Sequence, residues 1–493
     1  MQDLQTNQSA IPPELPASGC VLAVDLDGTL LNSDMLFESF WSVFGRAPGA
    51  GLAALIRPGL GDRAGLKAAF AKLMRFDPAE LPYNDEVLAY ITAWREAGGR
   101  VALVTASDQS LAARIASHLG LFDAVHGSSE TRNLKGAAKA ALLEAEYGSE
   151  NGGGGFVYMG DATPDLEVWA KARQIVTVNA GAGLRRAAEA LGPPVVHLGQ
   201  AGPDPWAVLK ALRPHQWLKN MLIFVPVVAG HAWSWGTIGQ LLLAFLAFSL
   251  TASSVYLMND LMDLSADRQH PRKRSRPIAA GTMPIALASA GAPVLLLVAF
   301  CLALPLGSQF LAVLGIYLLL TTGYSVYLKR RTIVDIWVLA MLYSLRILAG
   351  AAATGLVPSV WLLAFSIFFF FALAAVKRQA ELVDMTLRER RAMPRRGYHA
   401  DDLLLISMMG IAAGYVSVLV MALYVRSPDV AELYATPQLL LGICLILLYW
   451  ISRIVMVTHR GQMHDDPLVF ALRDRVSLAC LALMGACAFL AAA

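Results

Sequence analysis

The sequence predicts two fold classes on one chain: an α/β domain built on a parallel sheet, followed by an all-α polytopic membrane domain. Three observations lead there. Up to about residue 200, short apolar runs ending in acidic or hydroxyl residues alternate with helix-like stretches. After Leu222 almost everything runs in apolar blocks of about 20 residues. Two acidic signatures then fall one in each half, DLDGTL at Asp25 to Leu30 and NDLMDLSADRQHPRKRSRPIAAG at Asn259 to Gly281. With 493 residues, 56% hydrophobic and 16% charged, the chain is too apolar for one soluble domain and too long for a single core.

Residues 1–18 read as a disordered tail. They lack a basic start followed by an apolar run, so no secretory signal is expected and the soluble half should stay in the cytoplasm. Residues 19–200 form the α/β domain. Val21 to Val24 reads as a buried strand running into Asp25, and Val101 to Thr105 and Phe156 to Met159 repeat the pattern. In such a sheet ligands gather at the carboxyl ends of the strands. Four polar positions fall there: Asp25 with Asp27, Thr105, Lys135, and Asp161 with Asp165. Between Asp27 and Thr105, Met35 to Phe44 and Ala64 to Met74 read as helices of an inserted cap. Trp41 and Phe44 fit its core better than a substrate-facing wall.

The motifs DLDGT, VTAS around Thr105, TRNLKG around Lys135 and GDATPD from Gly160 stand in the order found in the haloacid dehalogenase superfamily, and residues 19 to 200 resemble it. The resemblance implies a Rossmann-like domain with a small helical cap and phosphatase chemistry. Asp25 would attack phosphorus, and Asp27 would protonate the leaving oxygen and then activate water. Thr105 and Lys135 would hold the phosphate, and Asp25, Asp161 and Asp165 would hold or orient Mg²⁺. The chemistry is coherent, since a carboxylate approaches a phosphate dianion only where cations offset the repulsion.

Residues 201–218, rich in Pro and Gly before a short amphipathic stretch, read as a linker and interfacial segment, with Trp206, Arg213, Trp217 and Lys219 as anchors. Residues 219–493 form the membrane domain. Hydropathy predicts about nine spans, near 219–232, 237–258, 283–304, 309–328, 332–353, 358–377, 402–425, 436–457 and 473–491. The basic loops RQHPRKRSR, KRR, KRQAELVDMTLRERRAMPRR and HRGQMHDDPLVFALRDR then fall on one side. By the positive-inside rule that side is the cytoplasm, with the protein in the inner membrane and the C-terminus outside. Cys20, Cys301, Cys444, Cys480 and Cys487 have no ligand spacing and read as buried thiols.

Exposing Asp260, Asp263 and Asp267 to lipid at depth would cost on the order of 8–10 kcal/mol, so they must face a wet cavity or the membrane rim. Their spacing puts all three on one helical face if the second span continues, and clustered carboxylates call for a hard cation such as Mg²⁺.

The pattern NDxxDxxxD at Asn259, Asp260, Asp263 and Asp267, with Arg276, Pro277 and Gly281 behind it, resembles the UbiA superfamily of intramembrane prenyltransferases. The match covers residues 212 to 493. Within that superfamily RPHQWLKN, ADRQHPRKRSRPIAAG, KRQAEL and ALRDRV are most similar to decaprenyl-phosphate phosphoribosyltransferases. Where aromatic prenyltransferases carry a second aspartate-rich motif, this chain has KRQAELVD, with Lys377 and Arg378 leading and Glu381 and Asp384 as acids. The resemblance implies phosphoribosyl diphosphate bound through Mg²⁺ to Asp260, Asp263 and Asp267, with Asn259 in support. Lys273, Arg276, Lys377 and Arg378 would bind phosphates beside Glu381. Arg346 would bind the acceptor phosphate or pair with Asp335 or another acid, Tyr324 and Lys329 would lie near the cavity, and Phe368 to Phe371 would be lipid-facing or core. The expected partners are polyprenyl phosphate, phosphoribosyl diphosphate and the bilayer, with nothing pointing to nucleic acid. The run AGAAATG would pack spans within one subunit or between subunits of a homo-oligomer.

The combined expectation is a bifunctional enzyme in which the phosphatase removes the 5-phosphate from a lipid-linked phosphoribose. The alternative is a quinone-type transferase using prenyl diphosphate, its phosphatase-like domain acting elsewhere or as a scaffold.

Overall fold

The computed structural model describes the chain apart from residues 1–18, 48, 52, 54–68, 71, 130–131, 149–153, 200–201, 203, 388–395, 464–465 and 493. The expected tail and most of the expected Ala64 to Met74 helix lie outside the described residues.

Six strands form the soluble sheet: β1 (Val21–Val24), β2 (Arg100–Asp108), β3 (Ala124–Ser128), β4 (Phe156–Gly160), β5 (Gln174–Val178) and β6 (Val195–Leu198). Their order is β3-β2-β1-β4-β5-β6, and every pair is parallel. Val24 lies opposite both Leu103 and Met159, so the residues that follow these strands emerge at one edge of the sheet. Side chains alternate between faces with the strand period of two. Leu22, Val24, Leu103, Val157 and Met159 join one core with Ile91 and Trp94 of α2 (Asp85–Glu96) and Leu111 and Ile115 of α3 (Gln109–Leu119). Val21, Ala23, Ala102, Val104, Phe156 and Tyr158 join the other with Leu143 of α4 (Ala137–Tyr147) and Ala188 of α5 (Ala182–Glu189). Both faces are therefore covered, as an all-parallel sheet requires. In the cap, α1 (Met35–Arg46) starts at Asp34, whose carboxylate accepts from the amides of Leu36 and Phe37. Trp41 is buried, in keeping with a core role.

The chain divides into two compact units, once between Leu212 and Arg213 inside the expected linker and again at 255/256 and 292/293, where no boundary was expected. One unit contains residues 1–212 together with 256–292, and the other contains 213–255 and 293–493. The segment carrying the second acidic signature thus belongs to the phosphatase-like unit.

Seven candidate membrane spans are present among the described residues, against the nine expected. Two differences account for this. Residues 219–232 are not one helix: Pro214–Phe224 is a 3-10 run entered through Arg213 at φ 53°, and Val225–Ala229 is a five-residue helix. The expected spans 283–304 and 309–328 are α8 (Ile285–Ala303) and α9 (Gly307–Val326), which form one long apolar run broken by a 3-10 turn at Leu304–Leu306. The remaining spans are α6 (Trp235–Met262), α10 (Val334–Thr354), α11 (Val360–Leu387), α12 (within Ala400–Tyr424), α13 (within Pro437–His459) and α14 (Arg475–Ala492); between the first two groups lies the short α7 (Leu264–Gln269). In the second unit, one core gathers Ile223, Leu241, Phe248, Phe310 and Leu345, and another gathers Tyr343, Phe370, Phe371, Trp450 and Ile454. Phe368 is turned outward and Phe370 and Phe371 inward, so the aromatic run serves both roles. Cys20, Cys444 and Cys480 are buried as expected, whereas Cys301 is exposed on its apolar helix.

Candidate active sites

The ends of β1 and β4 bring Asp25, Asp161 and Asp165 together, with one carboxylate oxygen from each lying within 4.8 Å of the others. Among the described residues no other group of three acids converges in this way. Gly28 makes it possible: at φ 75° it takes a left-handed turn, and a Cβ there would stand 2.1 Å from Asp161 Oδ2. Asp165 is held by the amides of Asp161 and Ala162 and by the Tyr158 hydroxyl. Burial, followed by Asp25 and Asp165, pushes the Asp161 carboxyl up to about 8. Three crowded carboxylates with so strained a charge are the donor set a hard divalent cation requires, so the residues fit Mg²⁺.

The lysine beside Asp25 is not the expected one. Lys135 is exposed in the loop before α4, whereas Lys139, one turn into that helix and 3% exposed, lies 2.9 Å from Asp25 and 3.9 Å from Asp165. The Asp25-facing role passes to Lys139. Thr105 is buried near the end of β2 and accepts from the Ser107 amide. Asp27 accepts from the Met35 amide at 2.7 Å and from Ser107 Oγ at 2.5 Å. Burial, then the neighbouring Asp34, raises its carboxyl to about 7, which suits a group that must give and take a proton near neutral pH.

The second acidic signature is built differently. Helix α6 ends at Met262 and Asp263 departs from helical angles, so the continuous helix expected there is interrupted. The Asp263 and Asp267 amides still donate to the Asn259 and Asp263 carbonyls, which keeps the helical spacing. Asp260 and Asp267 are buried, and Arg276 Nη1 bridges them at 3.0 and 2.5 Å. Lys273 Nζ stands 3.9 Å from Asp267. Burial pushes the Asp267 carboxyl up, against the pull of Arg276. The expected three-acid metal cradle is thus not assembled; a guanidinium joins two of its members. Two buried carboxylates nonetheless offer the oxygen donors that a divalent cation takes.

In the second unit the basic residues sort into two sets. Lys377 and Lys219 converge on Asp466 Oδ2 at 3.1 and 2.9 Å, with the Tyr343 hydroxyl at 3.1 Å. Burial alone would raise the Asp466 carboxyl, but Lys377 and Lys219 hold it well below its usual range. Arg378, expected at a phosphate, is fully buried and spent on Asp335 at 2.5 Å and on Glu381. Glu381 also takes Arg396 at 3.0 Å, and Tyr398 donates to Asp335 at 2.5 Å. Arg346 does not meet Asp335. Its Nε donates to Asn220 Oδ1 at 2.8 Å and its Nη2 to the Tyr317 hydroxyl at 3.2 Å. Tyr324 is half-buried in α9 within electrostatic reach of Lys377, and Lys329 is half-buried in the following turn. Sequence reasoning missed Lys139, Lys219 as a partner of Lys377, and Asp466. The signal available for Asp466 was an acid directly before a proline, where it caps the short helix Pro467–Ala471.

Two families match different parts of the chain. The model of the UbiA prenyltransferase family matches residues 223–473, and that of the haloacid dehalogenase-like hydrolases matches residues 60–169. The uncharacterized protein y4nM of Sinorhizobium fredii is 39% identical over 92% of this chain and 88% of its own length. The decaprenyl-phosphate phosphoribosyltransferase of Mycobacterium tuberculosis is 39% identical over 36% of this chain, which spans 60% of that relative. A UbiA homolog from Archaeoglobus fulgidus, solved with GPP and Mg²⁺, aligns over 57% of this chain and 99% of its own at 14% identity, with a TM-score of 0.44.

Proposed function

The chain belongs to the UbiA prenyltransferase family and carries a haloacid dehalogenase-like domain, and on that premise we propose that it transfers 5-phosphoribose from phosphoribosyl diphosphate to a polyprenyl phosphate such as decaprenyl phosphate and then removes the 5-phosphate. The observation that carries the reading is the pair of lysines on Asp466: two ammonium groups against one carboxylate leave a net positive charge. A prenyl diphosphate held by a second metal cluster would call for acids there, whereas a lipid phosphate acceptor calls for bases. The partial likeness to the phosphoribosyltransferase points the same way. The basic loops favour an inner-membrane protein with both sites on the cytoplasmic side.

Bound Mg²⁺ would supply positive charge to the phosphates, through Asp25, Asp161 and Asp165 in one site and Asp260, Asp263 and Asp267 in the other, with Asn259 in support. In the transferase, the C1–diphosphate bond breaks as an oxygen of the acceptor phosphate bonds to C1. Arg276 and Lys273 meet the donor's phosphates. The acceptor is already an anion, so no strong general base is needed. In the phosphatase, an Asp25 oxygen bonds to phosphorus as the bond to the sugar oxygen breaks, while Lys139 offsets the charge and Asp27 gives its proton to that oxygen. Asp27 then takes a proton from water, whose oxygen releases phosphate from Asp25.

The test is incubation of purified protein with Mg²⁺, decaprenyl phosphate and phosphoribosyl diphosphate, resolving lipid products by mass. A ribosyl lipid from the wild type and a phosphoribosyl lipid from Asp25→Asn are expected. Transfer from prenyl diphosphate to an aromatic acceptor instead would overturn the reading.

A further inference from the structure

The cap of the phosphatase domain and the aspartate-bearing segment 256–292 lie in one compact unit, and their contact is specific. Arg268 of α7 forms a two-pronged ion pair with Glu38 of α1, Nη2 to Oε1 at 2.6 Å and Nη1 to Oε2 at 3.0 Å, with the side chains 7% and 3% exposed. Around it, Ser265 and Gln269 donate to Glu80 at 3.2 and 2.7 Å, and the Trp41 indole donates to Ser289 at 2.7 Å. Gly281, at φ 74°, lies so close that a Cβ would stand 2.9 Å from Pro82 Cβ.

Arg268 does more than join two surfaces. Its Nε donates to the Ala279 carbonyl at 3.1 Å, so the same guanidinium ties α7 to the far limb of the loop that carries Arg276. On that turn the preceding residue is Asp267, the carboxylate that Arg276 bridges to Asp260. Glu38 also accepts from Ser33 at 2.6 Å and lies one turn from Met35, whose amide holds Asp27.

We propose that Glu38 is a positioning residue for the transferase: by neutralising and orienting Arg268 it fixes the turn that presents Asp267 and the limb that presents Arg276. This rests on the function proposed above. Without the Glu38 charge, Arg268 is a buried cation that has lost its two-pronged partner, one residue from the carboxylate that Arg276 and Lys273 neutralise. The turn must then rearrange. Phosphatase chemistry itself is not required, so the soluble domain serves the transferase as a structural part even with Asp25 replaced.

The test uses the full-length protein in lipid nanodiscs, comparing Glu38→Gln, Arg268→Glu and the swapped double variant Glu38→Arg/Arg268→Glu with wild type. Each is assayed for phosphoribosyl transfer against Mg²⁺ and donor concentration, and for amide hydrogen exchange over 260–281 without substrate. Glu38→Gln is expected to lower kcat/KM for transfer on the order of 10- to 100-fold, chiefly by raising the Mg²⁺ and donor concentrations needed, and to speed exchange over that loop about tenfold. The swapped pair is expected to recover most of both, which a general folding defect would not do. Unchanged exchange and transfer in Glu38→Gln, or losses that the swap leaves in place, would overturn the proposal. If wild type transfers no phosphoribose, the exchange measurement still decides: faster exchange in Glu38→Gln reversed by the swap upholds the positioning contact while the proposed function falls.

Discussion

Asp25, Asp161 and Asp165 turn their oxygens toward one point with a lysine alongside, whereas Asp260 and Asp267 are joined by a guanidinium from their own loop. The first arrangement sets three carboxylates against one lysine, a donor set that suits a divalent cation. The second has resolved its charge internally, and on the proposed function it gives up Arg276 before a metal and its diphosphate enter. Buried carboxylates alone therefore do not define a metal site; what already neutralises them decides how the site opens.

The widest separation between the two sites is expected from Asp25→Asn. Phosphatase turnover should fall on the order of 10⁴-fold or more, while phosphoribosyl transfer, followed by lipid mass, continues. Lys139→Ala comes next, lowering phosphatase turnover about 10²- to 10³-fold, whereas Lys135→Ala should cost less than about tenfold; steady-state hydrolysis of p-nitrophenyl phosphate distinguishes them. Arg276→Ala should destabilise the protein by about 2–3 kcal/mol, less than a fully enclosed pair would, because its side chain keeps 27% exposure. Added Mg²⁺ should recover more thermal stability in that variant than in wild type. No difference between them would mean that the aspartate loop takes no metal, and the contrast would collapse.

A further difference concerns pH. The folded Asp161 carboxyl is raised to about 8 from an ordinary value of 3.8, so in the absence of divalent cations the folded state binds more protons than the unfolded one between those limits. Stability should then fall as pH rises from about 4 to 8. Saturating Mg²⁺ should flatten the slope, as read from thermal melts across that range.

The parallel sheet was legible because strands covered on both faces leave continuous apolar runs, and acids at their ends follow from Val24 and Met159 sharing a register. Lys139 was not, because motif order selects a lysine without fixing where α4 begins, and a helix starting at Ala137 turns the later one inward. The 219–232 stretch is apolar enough to span, but Arg213 with φ positive, Pro214 and Pro226 break it into short pieces. The aspartate spacing survived the interruption at Asp263 because the amide ladder continues through it. The pairing of Glu38 with Arg268 had no signal at all: the two residues are 230 positions apart, and each on its own reads as a solvated charge.

The assignment of residues 256–292 to the unit that begins the chain has a consequence for how the protein is made. Domains at the N-terminus generally fold first during synthesis, so the surface formed by Glu38, Glu80 and Trp41 leaves the ribosome ahead of the loop that docks on it. The loop then meets a finished template on its own polypeptide, at a concentration set by the tether rather than by diffusion. Cutting the chain between the two acidic signatures would keep every residue and lose that advantage.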